Sequence, residues 1–382
     1  MPHFSDYMES VFFDLLKAAG RADLSEKIKT ADLPEERKIE QFSKLKNLRA
    51  YKNGAMKLVN NCFVARYEEG ETAYLCIQTD LVGSDAEESA SYLLAEYGAI
   101  PAILDESTFL FIAHEFRGFY VLKPQYFEVR QAKEIIDIAD DELYVGHDIG
   151  ELISAFKDIK IFAVDKNSVL ATADIWFLAA TLASAHTKFR SELLGNIISN
   201  KIAALLQLGN VNPENIYYAL TSMHWKHCFL ELYKCLESLH FLPWILRLKE
   251  STGLADDGYT LSKKVSSSLL WRGKEGQSTE LLFAMLQDDT ALKDEVFDTE
   301  AFKDLKGVKF DKATVGRRIY KIRNFLVHQE DYEDDAPIGI TERCWPAIVC
   351  FLVDVISELY KKNAYDVNFR YLLSPTAGQA ST

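Results

Sequence analysis

The chain has 382 residues, 48% of them hydrophobic, and a formal net charge of −14. That length supplies core for two or three domains, and the acidity excludes a general nucleic-acid coat. The six cysteines (Cys62, Cys76, Cys228, Cys235, Cys344, Cys350) form no Cys-x-x-Cys pair. They read as reduced thiols, several on apolar stripes, in a cytoplasmic protein.

Residues 1–150 read as an α+β domain with a possible sensor or regulatory role, an assignment made by architecture rather than by residues. The N-terminus lacks a basic flank followed by an apolar run, so no signal peptide is expected. A helix is expected over Asp6–Ala19, ended by Gly20. Residues 62–67 and 73–79 are strand-like runs around a Glu-Glu-Gly-Glu turn, a hairpin pattern. Glu87–Tyr97 reads as a helix stopped near Gly98. Phe109–Ala113 and Phe119–Leu122 read as a second hairpin turning at Arg117-Gly118. Asp80, Asp85, Asp105, Glu106 and Glu115 lie near strand ends, and Glu128-Val129-Arg130 faintly resembles the end of a metal-nuclease motif. Solvated loop acids are the simpler reading, and no metal is assigned.

Residues 151–210 read as a helical connector. Its apolar stretch Ile175–Ala185 is too short to span a bilayer, as is Cys344–Val353. Residues 211–365 read as a helical bundle. Asn212-Pro213 supplies an N-cap and a first-turn proline. Trp225, Cys228, Phe229, Leu232, Cys235, Leu236 and Leu239 then repeat at three- and four-residue steps. Pro243 interrupts that stripe, and 251–277 read as a long connection. Ser278 is expected to cap a short helix through Leu286, and another helix starts near Thr314. The last one carries Ile348, Phe351, Leu352, Val355, Ile356 and Leu359, with Pro346 in its first turn. His224, His227, Cys228 and Glu231 have helical spacing, but a core thiol with surface histidines outweighs a metal site. The tail, 366–382, reads as disordered. No glycine-rich phosphate loop or Gly-x-Ser-x-Gly turn occurs.

The helix after Thr314 carries the chemistry. At about 100° per residue, Ile319, Ile322, Phe325 and Leu326 fall within an arc of about 120°, a core-facing stripe. Tyr320, Arg323, Asn324 and His328 fall opposite. Asn324 and His328 are one turn apart and can touch. Arg323 and His328 diverge by about 140°, so two copies across a twofold axis are better placed than one helix to aim both at one phosphate. From Lys303 to Arg323 the chain has eight cations (Lys303, Lys306, Lys309, Lys312, Arg317, Arg318, Lys321, Arg323) against Asp304 and Asp311. A strip of this kind in an acidic protein suits RNA held at one place. Glu330, Asp331, Glu333, Asp334 and Asp335 follow the histidine and could raise its pKa.

Arg323-Asn324-Phe325-Leu326-Val327-His328 resembles the Arg-(four to six residues)-His motif of HEPN ribonucleases. The resemblance covers roughly 211–365 and implies an all-α four-helix bundle with the motif in its third helix. It also implies a homodimer with motifs meeting at the interface and metal-independent cutting of single-stranded RNA, possibly tRNA. Leu232–Glu237 is similar to a first helix of some HEPN families, which gives Glu237 a supporting role. Tyr320 could stack on a base or pack at the dimer seam. No cofactor is called for. The resemblance suits anti-phage defence or a toxin, with a possible regulatory or antitoxin partner and no membrane. The alternative is a non-catalytic HEPN-like dimerisation module that binds RNA or a protein.

Overall fold

The computed structural model describes Tyr7, Val11, 35–59, 62–78, 85–116, 143, 145–154, 156, 158–269, 274–287, 294–305, 311–328 and 340–367, with His328 described by its backbone alone. The chain divides into two compact units, Met1–Ala179 and Ala180–Thr382.

The first unit is built on a five-stranded sheet. Helix α1 (Glu35–Asn47) leads directly into β1 (Leu48–Lys57), followed by β2 (Phe63–Glu69) and β3 (Thr72–Gln78). Helix α2 (Asp85–Glu96), strand β4 (Ile100–Ala102), α3 (Glu106–Glu115), α4 (Ile149–Ser154), β5 (Ile159–Asp165) and α5 (Val169–Thr172) complete it. The strand order is β1-β2-β3-β5-β4, and every neighbouring pair is antiparallel. The expected first hairpin is present as β2–β3, with Phe63 opposite Gln78 and Glu69 opposite Thr72. Gly70 turns it at φ +58°, which glycine adopts without strain. Helix α2 ends at Glu96, and Gly98 follows at φ +80°.

The central strands β2, β3 and β5 are largely buried, whereas much of β1 and β4 is exposed. Phe63, Ala65, Tyr67, Cys76 and Ile161 join one core with Leu110 and Phe111 of α3 and Leu45 of α1. On β2 the intervening residues Val64 and Arg66 are buried too. The Arg66 guanidinium donates to the carbonyls of Leu170 (3.4 Å), Ala171 (3.2 Å) and Ala173, closing the end of α5. A charge on a central strand is tolerated because these carbonyls lack helical partners.

Two expectations for this region are overturned. Phe109–Ala113 is the middle of helix α3, not a strand, and Phe119–Leu122 lies outside the described residues. A five-residue apolar run does not distinguish a buried helix from a buried strand. Asp105 decides it by capping the helix, accepting from Thr108 N at 2.9 Å. Residues 159–165, placed in a helical connector, are β5, the strand between β3 and β4. Strand β1 was not anticipated. The expected helix Asp6–Ala19 lies outside the described residues apart from Tyr7 and Val11, both helical and buried.

Helix α6 (Ile175–Ala185) passes from the first unit into the second, which is helical: α7 (Asn196–Ala204), α8 (Pro213–Thr221), α9 (Trp225–Glu237), α10 (Leu242–Thr252) and α11 (Gly258–Leu269), then α12 (Glu275–Ala284), α13 (Asp294–Phe297), α14 (Lys312–His328) and α15 (Trp345–Lys362). Among the described residues, 211–365 thus hold eight α-helices rather than four. Asn212 caps α8 as expected, accepting from Glu214 N at 3.0 Å. The chain then breaks at Ser222 and restarts as α9, whose stripe is fully buried from Cys228 to Leu239. Pro243 opens α10 rather than only ending a stripe, and the expected connection 251–277 contains α11.

Helix α14 lies along α12, and α9 lies against α15, while α9 also reaches α12 and α14. Glycine permits the first contact: a Cβ on Gly316 would sit 2.9 Å from Thr279 O and 3.0 Å from the Phe283 Cβ. Helix α15 buries Ile348, Phe351, Leu352, Val355, Ile356 and Leu359, as their spacing requires, with Pro346 in its first turn. Among the described residues, no helix is long and apolar enough to cross a membrane. All six cysteines are free, five of them buried.

Candidate functional site around Arg323

Helix α14 starts at Lys312, two residues before the expected start near Thr314, where Asp311 accepts from Ala313 N (3.1 Å) and from the Thr314 hydroxyl (2.7 Å). Val315, Ile319 and Ile322 form its buried stripe, and Ile322, the residue beside Arg323, is completely buried. The expected stripe fades at its end: Leu326 is half-buried and Phe325 is 37% exposed, while Val327, which the spacing puts on the opposite face, is 47% exposed. The last turn of the helix therefore emerges from the core with apolar groups uncovered.

Arg323 stays inside, with its side chain 18% exposed. Its Nη2 donates to Glu237 Oε1 at 3.0 Å, and its Nη1 donates to Asn324 Oδ1 at 3.1 Å. Glu275 Oε2 is 3.7 Å from Nη2 and belongs to a side chain that is 55% exposed. The guanidinium is thus held between the last residue of α9 and the first residue of α12. Burial raises the Glu237 pKa above the usual carboxylate range, and the Arg323 charge opposes that shift.

Behind this pair lies a polar chain linking α9 to α12. Tyr233 Oη and Thr279 Oγ1 are hydrogen-bonded at 2.9 Å, and Thr279 Oγ1 is 3.1 Å from His240 Nε2. Thr279 also donates to the Glu275 carbonyl at 3.0 Å, the back-bond typical of a helical threonine. With that hydroxyl proton committed, the Tyr233 hydroxyl and the His240 Nε2–H supply the other two bonds. Burial, and then the nearby Arg323 charge, push the His240 pKa down to about 4. The imidazole is therefore neutral at pH 7. Ser278, expected as a cap, is interior and buried, and accepts from Trp244 Nε1 at 3.0 Å.

Of the motif residues, the structure brings Arg323, Asn324 and Glu237 together. Tyr320 packs within its own chain: its ring Cε1 would be 2.8 Å from a Cβ on Gly276. His328 ends α14, and its side chain lies outside the described residues. Several cations before the motif are engaged within the chain, two of them by acids outside the counted window, Glu280 and Glu300. Arg317 donates to both carboxylate oxygens of Glu280, at 2.9 and 3.0 Å. Arg318 donates to Asp304 at 2.6 Å and to the Ala301 carbonyl at 2.8 Å. Lys303 pairs with Glu300, and Lys312 donates to the Leu286 carbonyl. Lys321 is exposed, while Lys306, Lys309 and the acidic run 330–335 lie outside the described residues.

Among the described residues, no group of three His, Cys, Asp or Glu could hold a metal. Cys228 belongs to the core, and the His224 and His227 rings meet edge to face at 5.6 Å. Asp105 and Glu106 pair with Lys44 and Arg37. Asp80, Glu128 and Arg130 lie outside the described residues.

Sequence reasoning passed over His240, Glu275 and Thr279. A signal for the first existed, because Tyr233, Glu237 and His240 are spaced four and three apart and so share one helical face. Nothing local marked Glu275 and Thr279, which reach the site through the packing of α12 on α14. No family model, curated protein or solved structure matches the chain.

Proposed function

We propose that the C-terminal unit is a HEPN-like, metal-independent endoribonuclease that cuts single-stranded RNA, with tRNA as a candidate substrate. In this reading α9, α12, α14 and α15 are the HEPN-like four-helix core. The observation that carries it is the setting of Arg323. The motif arginine is drawn into a polar centre made by three helices, where Glu237 and Asn324 orient its fork. A merely solvating cation would project into water.

The chemistry uses the ribose 2′-hydroxyl as nucleophile on the adjacent phosphodiester. Arg323 stabilises charge on the phosphoryl oxygens, worth about a hundredfold in rate. Asn324 positions the fork, and His328 moves a proton at the 2′- or the 5′-oxygen. A 2′,3′-cyclic phosphate end results, and DNA survives. The exposed Phe325 and Val327 suit a homodimer seam that brings a second α14 beside the first. Defence against phage, or a toxin restrained by a protein partner, is the biological setting that fits such an activity in the cytoplasm.

A second reading is favoured by the cations. Arg317, Arg318 and Lys303 are engaged by Glu280, Asp304 and Glu300, which leaves less positive surface for RNA than the sequence suggested. A dimerisation module that binds RNA or a protein without cutting would need no more.

The deciding experiment incubates the protein with total RNA and a tRNA pool in EDTA, beside an Arg323→Ala/His328→Ala double variant. Cyclic-phosphate fragments from the unsubstituted protein alone support the ribonuclease. Intact RNA in both, with the dimer retained, selects the binding module.

A further inference from the structure

Helical spacing sets Arg323 and His328 about 140° apart around one helix, but the structure places a different imidazole with Arg323. His240 follows Glu237 by three residues, and its amide N–H donates to the Glu237 carbonyl at 3.0 Å. Glu237 touches Arg323 at 3.0 Å, and the Thr279 hydroxyl bonded to His240 lies one turn along α12 from Glu275, itself 3.7 Å from Arg323. The ring and the guanidinium therefore border the same small region, where the end of α9 meets the start of α12.

The groups around this ring can be assigned element by element. From α9 come Tyr233 and Glu237, and from α12 Thr279 and Glu275. From α14 comes Arg323, and α10 contributes the uncharged Trp244, bonded to Ser278. The Tyr233 ring meets the His240 ring edge-on at 6.3 Å. Only Arg323 among these is a cation, and the ring feels it. Thr279 fixes Nε2 as the bonded nitrogen, so Nδ1 is the acceptor.

We propose that Arg323 and His240 form one phosphate-and-proton site on a single chain, in which a phosphodiester oxygen bound to Arg323 draws a proton onto His240 Nδ1. The proposal rests on the ribonuclease reading for its substrate, but not for its first test. Its physical basis is charge: burial is the first cause of the ring's low proton affinity and the Arg323 field the second, and an anion on the guanidinium offsets that second part. Glu275, more than half exposed and beyond hydrogen-bond distance, is the partner an arriving phosphate displaces. In the cleavage reaction the proton taken up by Nδ1 is that of the 2′-hydroxyl. The O2′–P bond forms as the P–O5′ bond breaks, and the departing 5′-oxygen receives its proton from His328.

The test follows the His240 imidazole by NMR, its resonances identified by their loss in His240→Gln, while inorganic phosphate is titrated in. The expected result is a rise in the His240 pKa by about one unit, a tenfold gain in proton affinity. In Arg323→Ala the pKa should start higher and ignore phosphate. No phosphate response in the unsubstituted protein overturns the proposal, as does an equal response without Arg323. The second arm measures RNA cleavage by His240→Gln, whose amide can keep the bond to Thr279. We expect kcat to fall at least tenfold with KM nearly unchanged and the acid limb of the pH profile lost. Cleavage equal to that of the unsubstituted protein overturns the catalytic role of His240 but leaves the ribonuclease standing. A phosphate-dependent pKa in a protein that cuts no RNA sinks the ribonuclease reading instead and leaves the coupled site.

Discussion

Arg66 in the first unit is buried and Arg323 in the second is half-buried, and their partners differ in kind. In the sheet unit Arg66 gives its protons to the main-chain carbonyls of Leu170, Ala171 and Ala173. In the helical unit Arg323 meets the side chains of Glu237, Asn324 and, more loosely, Glu275. Carbonyls at a helix end cannot leave, so the first arginine is part of the fold. A carboxylate on an exposed side chain can leave, so the second retains a face to offer an anion. Burial alone does not distinguish a structural arginine from a binding one; exchangeability of the partner does.

That contrast can be broken most severely at Arg66. Arg66→Leu strands three carbonyls in the core and should destabilise the first unit by about 3 kcal/mol, read as a lower denaturant midpoint. A loss below about 1 kcal/mol would mean that water replaces the guanidinium and that the two sites are alike. Next comes Gly316→Ala, which drives a methyl against Thr279 O and Phe283. Overpacking should cost about 2 kcal/mol and separate α14 from α12. If Arg323 depends on that packing, the phosphate response of His240 should weaken in the same variant.

The pH dependence sharpens the comparison within the helical unit. The His240 pKa is lowered from 6.5 to about 4, first by burial and then by Arg323. The unfolded chain therefore binds the extra proton between those values. The associated stability is fully present above pH 6.5 and is lost as pH falls towards 4, by on the order of 2 kcal/mol. Glu237, raised by burial, works in the opposite sense. Unfolding curves of His240→Gln against pH isolate the histidine, and they should be flatter across this window. The smallest effect is expected at Arg317→Gln. That arginine lies on the same helix and pairs with Glu280, but it is exposed, so its unfolding midpoint should not move.

Several elements were legible because their information is local. Asn212 capping α8, Gly70 turning β2–β3 and the stripe of α15 depend on neighbours within a turn or two. Phe109–Ala113 was not legible, since a short run buried on every side has no periodicity to read. Strand β5 escaped for a related reason: it pairs with β3 and β4, whose sequences lie far away. Within the site, Arg323 and Asn324 could be singled out by their place on one helix face and Glu237 only through the resemblance of Leu232–Glu237, but Phe325 was misassigned to the core. The helix emerges there, and only its neighbours determine where it does so.

By itself, then, the sequence determined the helical character of the second half, the β2–β3 hairpin, the reduced state of the thiols as an expectation, and the arginine worth watching. Propensity, capping and apolar spacing act over a few residues and survive without tertiary context. Tertiary structure alone decided that β5 enters the sheet and that eight helices fill 211–365 among the described residues. It also decided that Glu275, Thr279 and His240 gather around Arg323. Those outcomes depend on close approach between distant segments, such as the contact that Gly316 permits between α14 and α12. Such an approach is set by the shape of whole surfaces, which no short window of sequence contains.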